Sequence, residues 1–106
     1  MKHTFANVTA SQTDSNLVSA ITGKVIYVLQ VAFVTAATAT NVTFNTKPAG
    51  SGTAISCLFA NVANGGAVLP FSDKGWCKTN SGEGLTVTTG SGSTTGIQLL
   101  YEYRDA

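Results

Sequence analysis

Along the chain, apolar residues alternate with small polar ones far more often than they recur at helical spacing. Val42, Phe44 and Thr46 share one side of a stretch whose other side carries Thr43 and Asn45, and Leu85 and Val87 stand against Thr86 and Thr88. A period of two is that of a strand with one face in a core and the other in water. Towards the C-terminus Ile97, Leu99, Tyr101 and Tyr103 line one face, opposite Gln98, Leu100, Glu102 and Arg104, the clearest alternation in the sequence. Shorter strands are expected over 4–9, 16–21, 53–61 and 67–71.

The segment 24–35, KVIYVLQVAFVT, is long enough for a helix. Its β-branched and aromatic residues lose side-chain freedom in a helix and pack well on a pleated sheet, so it reads as a strand. Both of its faces are apolar. Odd positions carry Val25, Tyr27, Leu29, Val31 and Phe33, and even positions carry Ile26, Val28, Gln30, Ala32 and Val34. A strand of this kind is covered on both sides or lies between subunits. We expect Val25, Tyr27 and Leu29 in the core with Phe44, Leu85, Val87, Ile97 and Leu99. The even-numbered Ile26, Val28, Ala32 and Val34 are then expected in an oligomer interface, with Ala32 and Ala36 small enough to let backbones approach.

Turn chemistry separates these segments. Gly23, the stretch 47–52 (KPAGSG), Gly65-Gly66 and 90–93 (GSGS) supply bends at little steric cost. About eight strands joined by such turns predict an all-β fold, an antiparallel jelly-roll-like β-sandwich with residues 1–106 as a single domain. At 106 residues the chain is large enough to bury one continuous core.

Charge changes the picture. Only 10% of the residues are charged, against the usual quarter, and the six basic residues are scattered singly around a net charge of +1. Phosphate neutralisation needs a basic stripe, so no nucleic-acid partner is expected. The apolar run 25–34 is interrupted by Gln30 and is shorter than the roughly 20 residues of a membrane helix, so no membrane partner is expected either. The N-terminus has no apolar core of a secretory signal, and synthesis in a cytoplasm is expected. A surface covered by Thr, Ser, Asn and Gly instead of charge suits contact with neighbouring subunits.

Candidate chemistry is sparse. Cys57 and Cys77 lack paired-ligand spacing and read as unbridged thiols, and His3 is the single histidine, so neither a metal nor another cofactor is expected. The glycine-rich stretches lack the spacing of a phosphate-binding loop. Asp73 and Glu83 are the only acidic residues weighed as a carboxylate pair, and loop hydrogen bonding is their ordinary role. No catalytic residue is assigned and no enzyme is expected. Phe71 and Trp76, in a Gly- and Lys-containing segment, are candidate anchors for a partner.

A resemblance follows from several of these stretches together. The run 24–46, then GGAVLP (65–70), GWCKT (75–79), GEGL (82–85) and GIQLLY (96–101), resembles small jelly-roll structural proteins of tailed bacteriophages, in particular capsid decoration or cement proteins. The resemblance implies a virion structural protein made in the host cytoplasm. It also implies a homotrimer that binds the major capsid protein on the outer capsid surface and stabilises the shell. The alternative is a carbohydrate-binding β-sandwich, such as a receptor-binding tip or a head or tail fibre component, for which exposed aromatics in a groove would be diagnostic.

Overall fold

The alternating segments become ten strands: β1 (Lys2–Val8), β2 (Ser15–Val18), β3 (Lys24–Thr35), β4 (Thr40–Lys47), β5 (Thr53–Ala54), β6 (Phe59–Asn61), β7 (Gly66–Leu69), β8 (Cys77–Lys78), β9 (Gly84–Thr89) and β10 (Thr95–Asp105). The structure, a computed structural model, describes residues 1–106 and contains no helix.

The pairing is nested. β1 pairs with β10, β2 with β9, β3 with β7 and β8, and β4 with β5 and β6, all antiparallel. The chain is therefore one long ribbon folded back on itself, with its tip at the turn after Lys47. Rolling the ribbon sets β10 beside β3 and β9 beside β4. Two sheets result, β1-β10-β3 with β7 and β8 on the far edge, and β2-β9-β4 with β5 and β6 on the far edge. This is the jelly-roll arrangement, and the eight expected strands appear as eight positions, two of them split.

Between the sheets lies one cluster of twelve buried residues, among them Val31, Phe33, Phe44, Leu85, Val87, Ile97 and Leu99. Phe33, Phe44 and Phe59 meet edge to face, with ring centroids 4.9–6.2 Å apart. The buried polar side chains are threonines and Asn45, whose Nδ2 donates to Thr88 Oγ1 (2.8 Å). Thr79 Oγ1 accepts from Ile26 N (3.0 Å), Thr46 Oγ1 accepts from Asn80 N (2.9 Å), and Thr35 and Thr95 share a hydroxyl contact (3.2 Å). No buried side-chain polar atom is left without a partner, as a low-dielectric interior requires.

β3 departs from the simple reading of its sequence. Gln30 pairs with Leu100, but the next residue of β10, Tyr101, pairs with Val28, so Leu29 is an extra residue in β3. Such a bulge reverses the inward parity of everything before it. Inward positions are Ile26 and Val28 on one side of the bulge, and Val31, Phe33 and Thr35 on the other. Ile26 and Val28 are 0% and 1% exposed, core residues and not interface ones. Conversely Val25 and Tyr27, expected in the core, are only partly buried and face outward. Leu29 itself is buried, though outside the main cluster. Opposite the bulge the neighbouring strand breaks into β7 and β8, and the intervening excursion is tied back by Ser72 N to Leu29 O (2.9 Å) and Trp76 N to Val28 O (2.8 Å).

Glycine is required where β7 meets β3. A side chain on Gly66 would place its Cβ 1.8 Å from the carbonyl oxygen of Phe33. We expect Gly66→Ala to detach the start of β7, read as faster amide exchange at Ala67 and Val68. Leu99→Ala, which empties a position at the centre of the core, should cost about 2–5 kcal/mol in chemical denaturation.

Candidate interaction surface

Past the bulge, the outer face of the β1-β10-β3-β7 sheet is built by register. One row across four strands reads Asn7, Gly96, Val34, Gly66, and the next Phe5, Gln98, Ala32, Val68, with His3, Leu100 and Gln30 following. Neighbouring strands lie about 4.8 Å apart, so each four-strand row is about 14 Å wide. Phe5, Val34 and Val68 are 71%, 57% and 69% exposed. Between them Ala32 and Gly96 floor a shallow open groove. Its polar members are Asn7, Gln98 and His3, whose ring nitrogen lies 2.9 Å from Gln98 Nε2.

The other end of the same face is closed by charge. Arg104 lies over the ring of Tyr27 (4.4 Å to its centroid), donates from Nε to Glu102 (2.8 Å) and from a terminal nitrogen to Asp73 O (2.7 Å). Lys78 reaches the same ring at 5.7 Å, and Lys24 pairs with Asp105. The hydrogen bond from Arg104 lowers the Glu102 carboxyl below its ordinary range, and the bond from Lys24 does the same for Asp105. Both pairs are solvated and add little to stability. Their effect is to gather the ion pairs at one end and leave the other open.

The predicted site residues therefore part company. Ala32 and Val34 face outward on the open half of the sheet, while Ile26 and Val28 are sealed inside. Phe5, Val68 and Leu100 share the face with Ala32 and Val34, and single-strand reading missed them. Only the pairing of β1, β7 and β10 with β3 brings them there. Phe71 and Trp76 are about half exposed on the excursion opposite the bulge. The indole N–H of Trp76 is already donated to Pro70 O (2.6 Å), which holds the ring in place and leaves its apolar surface free.

At the opposite edge the two split strand positions leave an apolar recess of about 340 Å³ between the sheets, lined by Ile55, Phe59, Leu69 and Trp76 among others. Both cysteines border it, and both are free thiols, Cys57 exposed and Cys77 partly buried. No group of three or more His, Cys, Asp or Glu side chains gathers anywhere in the chain. Comparison with protein-family models, with curated proteins and with solved structures returned no match.

Burial pushes the Cys77 thiol up to about 11 from its ordinary 9.0. The folded chain thus holds that proton more tightly than the unfolded one. The stabilisation is complete below about pH 9 and is lost as pH rises through about 11. Urea titrations of wild type and Cys77→Ala across pH 8–11 should show a falling slope in the first that is reduced in the second. At pH 8 a maleimide should label Cys57 well ahead of Cys77.

Proposed function

We propose that this protein is a non-enzymatic structural subunit that works by packing its open sheet face against other protein subunits. More specifically, we read it as a virion component, a capsid decoration or cement protein that self-assembles and binds the major capsid protein. The observation that supports assembly is the exposure of Phe5, Val34 and Val68 on one sheet face, around Ala32, Gly96 and Gln98 and away from the charged end. Large apolar side chains gathered on a sheet face that its own chain leaves uncovered mark a contact site. A small, nearly chargeless surface costs little to desolvate when that contact forms. The virion assignment and the threefold count come from the resemblance to phage decoration proteins. Trp76 and Phe71, fixed on the excursion beside the bulge, are the proposed anchors toward the capsid.

Two substitutions on one strand separate association from folding. Val34→Asp places a carboxylate on the open face and should leave circular dichroism unchanged while light scattering falls below the wild-type mass. Val28→Asp buries an unpartnered carboxylate in the core and should unfold the chain. A wild type that is monomeric at micromolar concentration, or a Val34→Asp variant that keeps the wild-type mass, would sink the face as the assembly site. For the virion role the measurement is the protein content of purified particles, where the chain is expected at a fixed ratio to the major capsid protein.

A further inference from the structure

A jelly roll has four edge positions, and three of them in this protein are blunted. β2 has four residues and a register shift between Asn16 and Val18. The position beyond β4 is split into β5 and β6, of two and three residues, and the position beyond β3 into β7 and β8, of four and two. Short, bulged and broken strands are the ordinary means of keeping a sheet edge from pairing with another chain. The fourth edge lacks all of them.

β1 runs seven residues in unbroken register with β10, without proline, and with Lys2 at one end as its only charged residue. No other segment of the chain hydrogen-bonds to its backbone. Every second N–H and C=O along it therefore points in the plane of the sheet with no partner from this chain.

From this edge we infer that β1 pairs antiparallel with β1 of a second copy, about a two-fold axis through Phe5. In a two-fold pairing of one strand with itself, facing residues must lie on the same side of the sheet, so the axis passes through a residue and not between two. Of the residues available, only Phe5 lets all seven find a partner. Phe5 then faces Phe5 of the other copy, His3 faces Asn7, Thr4 faces Ala6, and Lys2 faces Val8. Apolar meets apolar and polar meets polar on the outer face, and the two Lys2 cations end about 20 Å apart along the ladder. That self-complementarity selects a second copy over an unrelated strand, because an isologous contact needs the same patch to suit both sides. The pairing rests on the reading of the chain as an assembling subunit. It lies in the plane of the sheet, whereas the face contact stands across it, so edge pairing joins copies belonging to different face-built oligomers.

The test is disulfide trapping in full-length chain carrying Cys57→Ser and Cys77→Ser. Phe5→Cys sets two thiols across the axis, within the Cα separation of roughly 4.4–6.8 Å that a disulfide tolerates. His3→Cys alone leaves its thiols about 14 Å apart. Under oxidised glutathione, Phe5→Cys should give covalent dimer about ten-fold faster than His3→Cys alone, and His3→Cys mixed with Asn7→Cys should recover the fast rate. No dimer from Phe5→Cys, or equal rates for Phe5→Cys and His3→Cys, would overturn the pairing. Either result leaves the face reading to be judged on the mass of Val34→Asp, and the virion reading on particle content. Circular dichroism on each variant guards against misfolding, which the exposure of all three positions makes a separate and visible outcome.

Discussion

The antiparallel ladder between β3 and β10, with Leu29 bulged out of it, is the constraint on which the rest of the structure hangs. The two strands are the longest in the chain and come from different segments of the folded ribbon, so the roll closes when they meet. Because Leu29 adds one residue to one strand only, β10 keeps a single inward parity from Thr95 to Tyr103 while β3 reverses its own. That reversal lets a strand with apolar residues at almost every position be half core and half surface on each of its nominal faces. It also displaces the neighbouring strand, splitting it into β7 and β8 and throwing out the excursion that carries Phe71 and Trp76.

Threonine does in this protein what charge and amide side chains do elsewhere. The interior contains seven buried threonines, Thr35, Thr40, Thr46, Thr79, Thr86, Thr89 and Thr95. A hydroxyl both donates and accepts and rotates to suit, so one residue type closes hydrogen bonds at loop junctions without bringing a charge inside. Thr89 illustrates this, accepting from Gln12 N (3.0 Å) and donating to Thr9 O (2.9 Å) where the loop between β1 and β2 is fastened to β9. Asp14 fastens the other end of that loop, taking hydrogen bonds from Thr86 (3.2 Å) and Gly52 N (3.0 Å). With its junctions closed this way, the fold needs few ion pairs, and those it has gather at one end of one face.

The apolar face and the open β1 edge are two consequences of the same economy. A chain with so little charge has few residues with which to guard a surface, and most of its edges are guarded by geometry instead, through bulges and breaks. The half-face around Ala32 and the edge along β1 are where neither device operates. They adjoin at Phe5, which belongs to the edge through its backbone and to the face through its ring. A chain built this way leaves two directions unguarded, one across the sheet and one along it.

The sequence by itself determined the class of fold and the part of the core that the cleanly alternating strands supply. Alternation over 42–46, 85–88 and 97–103 is a local property of a half-buried strand, and Phe44, Leu85, Val87, Ile97 and Leu99 are buried where their parity puts them. The glycine and proline stretches likewise marked the turns. The outward-facing residues of β3 were legible only in part, because a run apolar on both faces carries no record of which residue is the extra one. Ala32 and Val34 point outward and Ile26 and Val28 inward because β10 supplies a partner with one residue fewer, which no reading of β3 alone can reveal. The contributions of Phe5 and Val68 are also decided by tertiary pairing, since residues far apart in sequence share this face only through the register of β1, β10, β3 and β7.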